Sequence, residues 1–280
     1  MAGPLVSTGW LAEHLADPDL VILDGSWHMP ADGRDAKVEY AAGHIPGAVF
    51  FDIDHIADHS TDLPHMLPPP ADFATAARRL GVEPGSTVIV YDTVGVFSAP
   101  RVWWEFRAMG HEAVFVLDGG LKKWTAGGHP VETGWREARH GAFKSHPAPA
   151  LVADKAQVAA VLRAGSAQVV DARAAARFRG EAPEPRPGLR AGHMPGAVNV
   201  PWSAVVAPDG AFAPPERLKT AFEAAGVDLA RPIITTCGSG VSASILALGL
   251  AVLGRQDVAV YDGSWSEWGA AADTPVATGP

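Results

Sequence analysis

The side chain best suited to covalent chemistry is the only cysteine, Cys237, which opens the run Cys237-Gly238-Ser239-Gly240-Val241-Ser242-Ala243. Residues this small let successive backbone N–H groups turn toward one point and form a nest for an anion. The stretch Ser244 to Leu253 follows and reads as a helix, whose N-terminus adds partial positive charge at the same place. Both effects favour a thiolate over a thiol, and the same amides can stabilise charge building up on a transferred atom. A nucleophile that carries a group covalently is the chemistry such a loop serves. The competing reading is an inert core cysteine, which residue type alone favours. With one cysteine, the chain has no intramolecular disulfide and no thiolate-based metal site.

Some element must hold that loop. Pro232-Ile233-Ile234-Thr235-Thr236 runs straight into Cys237 and reads as a buried strand. In open α/β sheets, sites form beyond the carboxyl ends of the strands, which is where this strand leaves the cysteine. The same arrangement occurs twice in the chain. Val21–Asp24 and the motif from Gly43 to Val49 (GHIPGAV) return as Gln168–Asp171 and the motif from Gly192 to Val198 (GHMPGAV), the glycines 149 positions apart. Thr87–Asp92 returns as Pro232–Cys237 at an offset of 145. Val116-Leu117-Asp118-Gly119-Gly120 with Trp124 returns as Val260-Tyr261-Asp262-Gly263-Ser264 with Trp268, at an offset of 144. Landmarks in one order at a nearly constant, long period indicate two copies of a globular domain, not a solenoid.

Short Val/Ile-rich runs alternate with stretches of helical period, clearest in Ala71 to Leu80 and Arg217 to Ala225, each followed by a glycine. The prediction is an α/β chain of two tandem domains, each a mainly parallel sheet flanked by helices. The domains are placed at 1–131 and 151–280, joined by a linker at 132–150 that is rich in Pro, Gly and charge. A length of 280 residues suits two domains, and 48% hydrophobic with 19% charged residues suits ordinary globular cores. A net charge of −9 argues against nucleic acid or an anionic membrane as the main partner, so an anionic substrate needs local cations or amides. The start lacks the pattern of a secretory signal, and the most apolar segment, Ala243 to Gly254, is too short to span a bilayer. Together with the single cysteine, these features lead to the expectation of a cytoplasmic protein.

The loop CGSGVSA, the paired GHIPGAV and GHMPGAV, and the closing DGSWSEW resemble the tandem-domain rhodanese superfamily over essentially the whole chain. The resemblance is closest to its 3-mercaptopyruvate sulfurtransferase branch. It implies two similar α/β domains with one active site near their interface, and a first domain without a nucleophile, since Asp92 stands at the position of Cys237. It further implies a persulfide carried on Cys237, with no metal or organic cofactor. In members that prefer thiosulfate, the two residues after the cysteine resemble Arg-Lys; here Gly238 and Ser239 are neutral. The resemblance assigns the donor's carboxylate to Arg177 and Arg186, whose forked guanidinium groups bind carboxylates bidentately. It sets Gly238, Gly240, Val241 and Ser242 around the substrate. Ser239, with Asp54 and His65, would relay a proton to the departing pyruvate. Alternatively, Asp54 and His65 pin a loop between the domains. His44 and His193, in the repeated Gly-His turn, are read as structural, and Trp103, Trp104 and Trp265 as packing.

The implied acceptor is a small thiol, a thioredoxin-type protein or cyanide. Three other readings stay open at this point: a thiosulfate-preferring enzyme, a phosphatase, and a non-catalytic sulfur-relay or binding module. A cysteine phosphatase needs an Arg closing the loop, where this chain has Ala243.

Overall fold

The computed structural model describes residues 3–280, which cluster into two compact units. The first gathers Met1–Asp58, Leu67–Ala148 and Ala207–Phe212; the second gathers His59–Met66, Pro149–Val206 and Ala213–Pro280.

In the first unit, strands β1 (Leu5–Val6), β2 (Leu20–Asp24), β3 (Val49–Phe50), β4 (Thr87–Tyr91) and β5 (Val114–Leu117) form one sheet in the order β1-β5-β4-β2-β3. In the second, β6 (Val152–Ala153), β7 (Gln168–Asp171), β8 (Val198–Asn199), β9 (Ile233–Thr236) and β10 (Ala259–Tyr261) form β6-β10-β9-β7-β8. Subtracting five from each label turns the second order into the first. Every strand pair in both sheets is parallel. Parallel strands need crossover segments and end up covered on both faces, which is why the central strands are nearly pure Val, Ile and Thr. Both central strands are buried: β9 throughout, and β4 at all but its first residue.

Helices Pro70–Arg79 and Pro215–Ala224 match the periodic stretches. Each begins on a proline whose missing N–H costs nothing in the first turn, and Gly81 and Gly226, at φ +85° and +82°, end them. Helix Val241–Val252 starts three residues before the expected Ser244, because Gly240 (φ +82°) makes the turn inside the loop. Its residues 243–251 are all buried, so it lacks a polar face. No helix among the described residues is long and apolar enough to cross a membrane.

The segment 132–148 lies along the first unit. Backbone bonds run from Gly141 to Arg78, Phe143 to Val82 and His146 to Met109, and the buried Phe143 ring meets Phe73 and Phe106.

Candidate active site

Strand β9 delivers Cys237 to the carboxyl edge of the second sheet, at the sheet's centre. The thiol is buried, 2% exposed, and Ser239 is 6% exposed. The short helix Ser264–Trp268 grips the loop by its carbonyls. The Trp265 N–H donates to the Cys237 carbonyl (2.9 Å), and the Ser266 N–H and hydroxyl donate to the Gly238 carbonyl (2.9 and 2.7 Å). The Ser264 hydroxyl accepts from the N–H groups of Cys237 (3.2 Å) and Gly240 (3.1 Å) and donates to the Tyr261 carbonyl (2.8 Å). Gly240, expected to offer its amide to the substrate, is therefore engaged by Ser264. The amides of Ser239, Ser242 and Ala243 find no acceptor among the described residues, and Cys237 Sγ accepts none of them.

Two guanidinium groups stand over Gly238. A Cβ built on that glycine would lie 3.3 Å from Arg177 Nη2 and 4.0 Å from Arg186 Nη1. The bare α-carbon gives room for the close approach of Arg177, while Arg186 stands at an ordinary contact distance. Arg177 sits on the short helix Ala175–Phe178 and is anchored by Glu184, its Nη2 donating to Oε2 at 2.5 Å. Glu184, with its side chain 1% exposed, also accepts from Arg173 Nη1 at 2.8 Å. Arg173 in turn donates to Asp171 and to the Gly192 carbonyl, and lies over the Trp265 ring at 4.3 Å. Asp171 ends β7, so the sheet fixes Arg177 through a buried chain of ion pairs.

His65, with φ +60° and 7% exposed, belongs by its contacts to the second unit. Its Nδ1 is 3.1 Å from Ser239 Oγ. Asp54 lies in the first unit, where its carboxylate accepts from the Trp27 indole at 3.1 and 3.2 Å. The second unit thus brings together Cys237, Gly238, Ser239, Arg177, Arg186 and His65. His44 and His193 each send Nδ1 to a backbone carbonyl, at Tyr40 and Phe178, and stack on those same rings. They are structural pins.

The first unit shows what such a loop does with a carboxylate in it. Asp92 Oδ1 accepts from the amides of Val94 (3.0 Å) and Gly95 (2.8 Å), and Oδ2 from those of Phe97, Ser98 and Ala99 (2.8 to 2.9 Å). Five amides converge on one buried anion. The sequence reading gave no role to Ser264, Ser266 or Glu184. For the two serines a signal was present: the repeat pairs them with Gly120 and Lys122, so both hydroxyls occur only in the copy that keeps the cysteine.

The Rhodanese-like domain family matches the chain twice, over residues 7–127 and 154–271. A 3-mercaptopyruvate sulfurtransferase of Escherichia coli (strain K12) is 47% identical over 272 residues, covering 97% of this chain and 96% of the relative. A thiosulfate sulfurtransferase of Bos taurus is 43% identical over 271 residues, covering 94% and 91%. Among solved structures, the crystal structure of SseA from Escherichia coli, described as a 3-mercaptopyruvate sulfotransferase with a rhodanese fold, superposes with a TM-score of 0.87. It is 43% identical and is matched over 94% of this chain and 99% of that one.

Proposed function

Since the chain belongs to the rhodanese family, we propose that it is a sulfurtransferase that takes sulfur from 3-mercaptopyruvate onto Cys237 and hands it to a thiol or cyanide. The observation that carries this reading is the pair of guanidinium groups beside the bare α-carbon of Gly238, next to the only cysteine. A 2-oxo acid offers one carboxylate and a carbonyl to that pair, which holds the donor while its sulfur reaches Cys237. An arginine at position 238, as in the thiosulfate-preferring pattern, would have to enter space that Arg177 holds.

The cycle is ping-pong. The Cys237 thiolate attacks the substrate sulfur, the carbon–sulfur bond breaks, and its electron pair passes to the methylene as the enolate of pyruvate. The proton that began on the substrate thiol ends on the pyruvate methyl group, and the Ser239 hydroxyl beside His65 Nδ1 is placed to pass it. In the second half, the acceptor's nucleophile attacks the outer sulfur and the Cys237 thiolate leaves. Acceptors of this kind are a small thiol, a thioredoxin-type dithiol or cyanide, met in a reducing cytoplasm.

Asp92 supports the persulfide. A carboxylate oxygen stands one bond beyond the position that Sγ takes in cysteine, as the outer sulfur of a persulfide does. In the first unit the loop amides converge at that depth. In the second, the matching amides of Ser239, Ser242 and Ala243 find no acceptor at Sγ alone, which supports a role for them in holding the longer anion.

Intact-protein mass spectrometry tests the reading. Incubation with mercaptopyruvate adds one sulfur to the protein and releases one pyruvate, and Cys237→Ser does neither. A Cys237→Ser protein that still turns over sinks it. The bovine relative named for thiosulfate favours a second reading in which thiosulfate is the donor. The ratio of kcat/KM for the two donors decides between them, and mercaptopyruvate is expected to lead.

A further inference from the structure

The two loops have equal length and align residue for residue, yet their amides are shared out differently. In the first unit the Gly95 N–H donates to Asp92, the residue in the nucleophile's place. Its counterpart at an offset of 145, the Gly240 N–H, donates instead to the hydroxyl of Ser264. The residue opposite Ser264 in the repeat is Gly120. A Cβ on Gly120 would meet the Asp92 carbonyl at 2.2 Å and the Gly95 carbonyl at 2.7 Å, because there the loop closes down on that position. In the second unit a serine side chain occupies the place, fully buried. Ser264 holds φ at +49°, a conformation that a residue with a Cβ rarely adopts and that Gly120 matches at +55° without strain. The strained backbone is retained where the hydroxyl can bond Cys237 and Gly240 at once.

We propose that Ser264 is a positioning residue that withholds the Gly240 N–H from the sulfur site, keeping the Cys237 thiolate more nucleophilic than a fully collapsed nest would leave it. Each added N–H on a thiolate stabilises the anion, and a more stabilised thiolate attacks more slowly. A nest with every amide turned inward, as around Asp92, suits permanent storage of charge. In the second loop the Ser244 N–H goes to the Gly240 carbonyl at the start of the helix and the Gly240 N–H to Ser264, and a nest thinned in this way suits a sulfur that must attack and later be given up. This inference rests on reading Cys237 as the nucleophile.

The test is alkylation of Cys237 by iodoacetamide at alkaline pH, where the rate has levelled off and reports the reactivity of the thiolate itself. Ser264→Gly copies the residue the first unit already tolerates, so it should fold; its Gly240 N–H becomes free to turn to the sulfur. The plateau rate should fall several-fold, and sulfur loading from mercaptopyruvate should slow by a similar factor with little change in the donor's KM. Ser264→Ala keeps the Cβ and loses only the hydroxyl, and should show the same direction, which keeps the test intact if the glycine variant proves unstable. A role limited to bracing the loop predicts the opposite sign, since a loosened loop exposes a buried thiol and speeds its alkylation. A plateau rate equal to or above wild type in these variants overturns the proposal. Alkylation does not depend on the donor, so a wild-type protein that alkylates but takes no sulfur from mercaptopyruvate would count against the sulfurtransferase reading alone.

Discussion

In the proposed cycle, recognition and reactivity around Cys237 fall to different atoms: guanidinium groups for the donor, peptide amides for the sulfur. Arg177 is the clearest handle on the first. Its Nη2 is fixed by Glu184 at 2.5 Å and faces Gly238, so Arg177→Lys removes the planar fork while keeping the charge. The donor's KM should rise on the order of tenfold, with kcat for sulfur loading changed much less, as steady-state kinetics with mercaptopyruvate will show. An unchanged KM would place the carboxylate elsewhere. At this scale the sequence made the cysteine and its loop legible, because glycine and serine crowding after a strand has few uses. It left Glu184 unread, since a carboxylate three bonds from its backbone gives no sign of being buried between Arg173 and Arg177. Ser239 and His65 lie 174 positions apart, so spacing gave no sign of their contact, and it was the family resemblance that grouped them.

The equivalent strands β2 and β7 both end in an aspartate, and the two aspartates have met different fates. Asp171 is paired with Arg173, whereas Asp24 has Ser26 at the matching place and no arginine. Burial pushes the Asp24 carboxyl up to about 6, and the hydroxyl and amide of Ser26 and the nearby Tyr91 hydroxyl offset this only in part. A carboxyl raised in the folded state is protonated there while the unfolded chain has already ionised. The contribution of Asp24 to stability is therefore fully present below the unfolded value of 3.8 and is lost as pH climbs from there through about 6. The loss is about 3 kcal/mol, at 1.36 kcal/mol per pH unit over roughly two units. Asp24→Asn should flatten that slope in denaturant titrations, stabilising the protein at pH 7 more than at pH 4; an undiminished slope would assign it to another group. The long strands and amphipathic helices were readable from period and β-branching. The two-residue strands β1, β3, β6 and β8 were not, because two residues carry no period and pair only once the sheet exists.

Duplication gives the molecule two sheets of one strand order, with an apolar cluster around Tyr91 and Trp124 in the first unit and one around Tyr261 and Trp265 in the second. Lesions in one core should then be felt mainly there. Asp92→Asn takes a charged acceptor away from five amides and turns an NH2 group toward some of them, costing about 3 kcal/mol. Calorimetry should show a lowered Tm for the first unit, while Cys237 in the protein that remains folded still takes up sulfur at its normal rate. Loss of loading in step with Asp92 would argue that the copies are not independent. The long period of the repeat made this organisation visible before any coordinates. What the repeat could not convey is how far the 132–148 segment commits to the first unit, since Phe143 packs through a ring cluster assembled from distant residues. The burial of Cys237 also bears on delivery: if the sulfur rides on this residue as proposed, a partner cannot collect it with a flat face. On the proposed reading, the recipient is a slim molecule, or a protein that offers its nucleophile at the tip of a narrow projection.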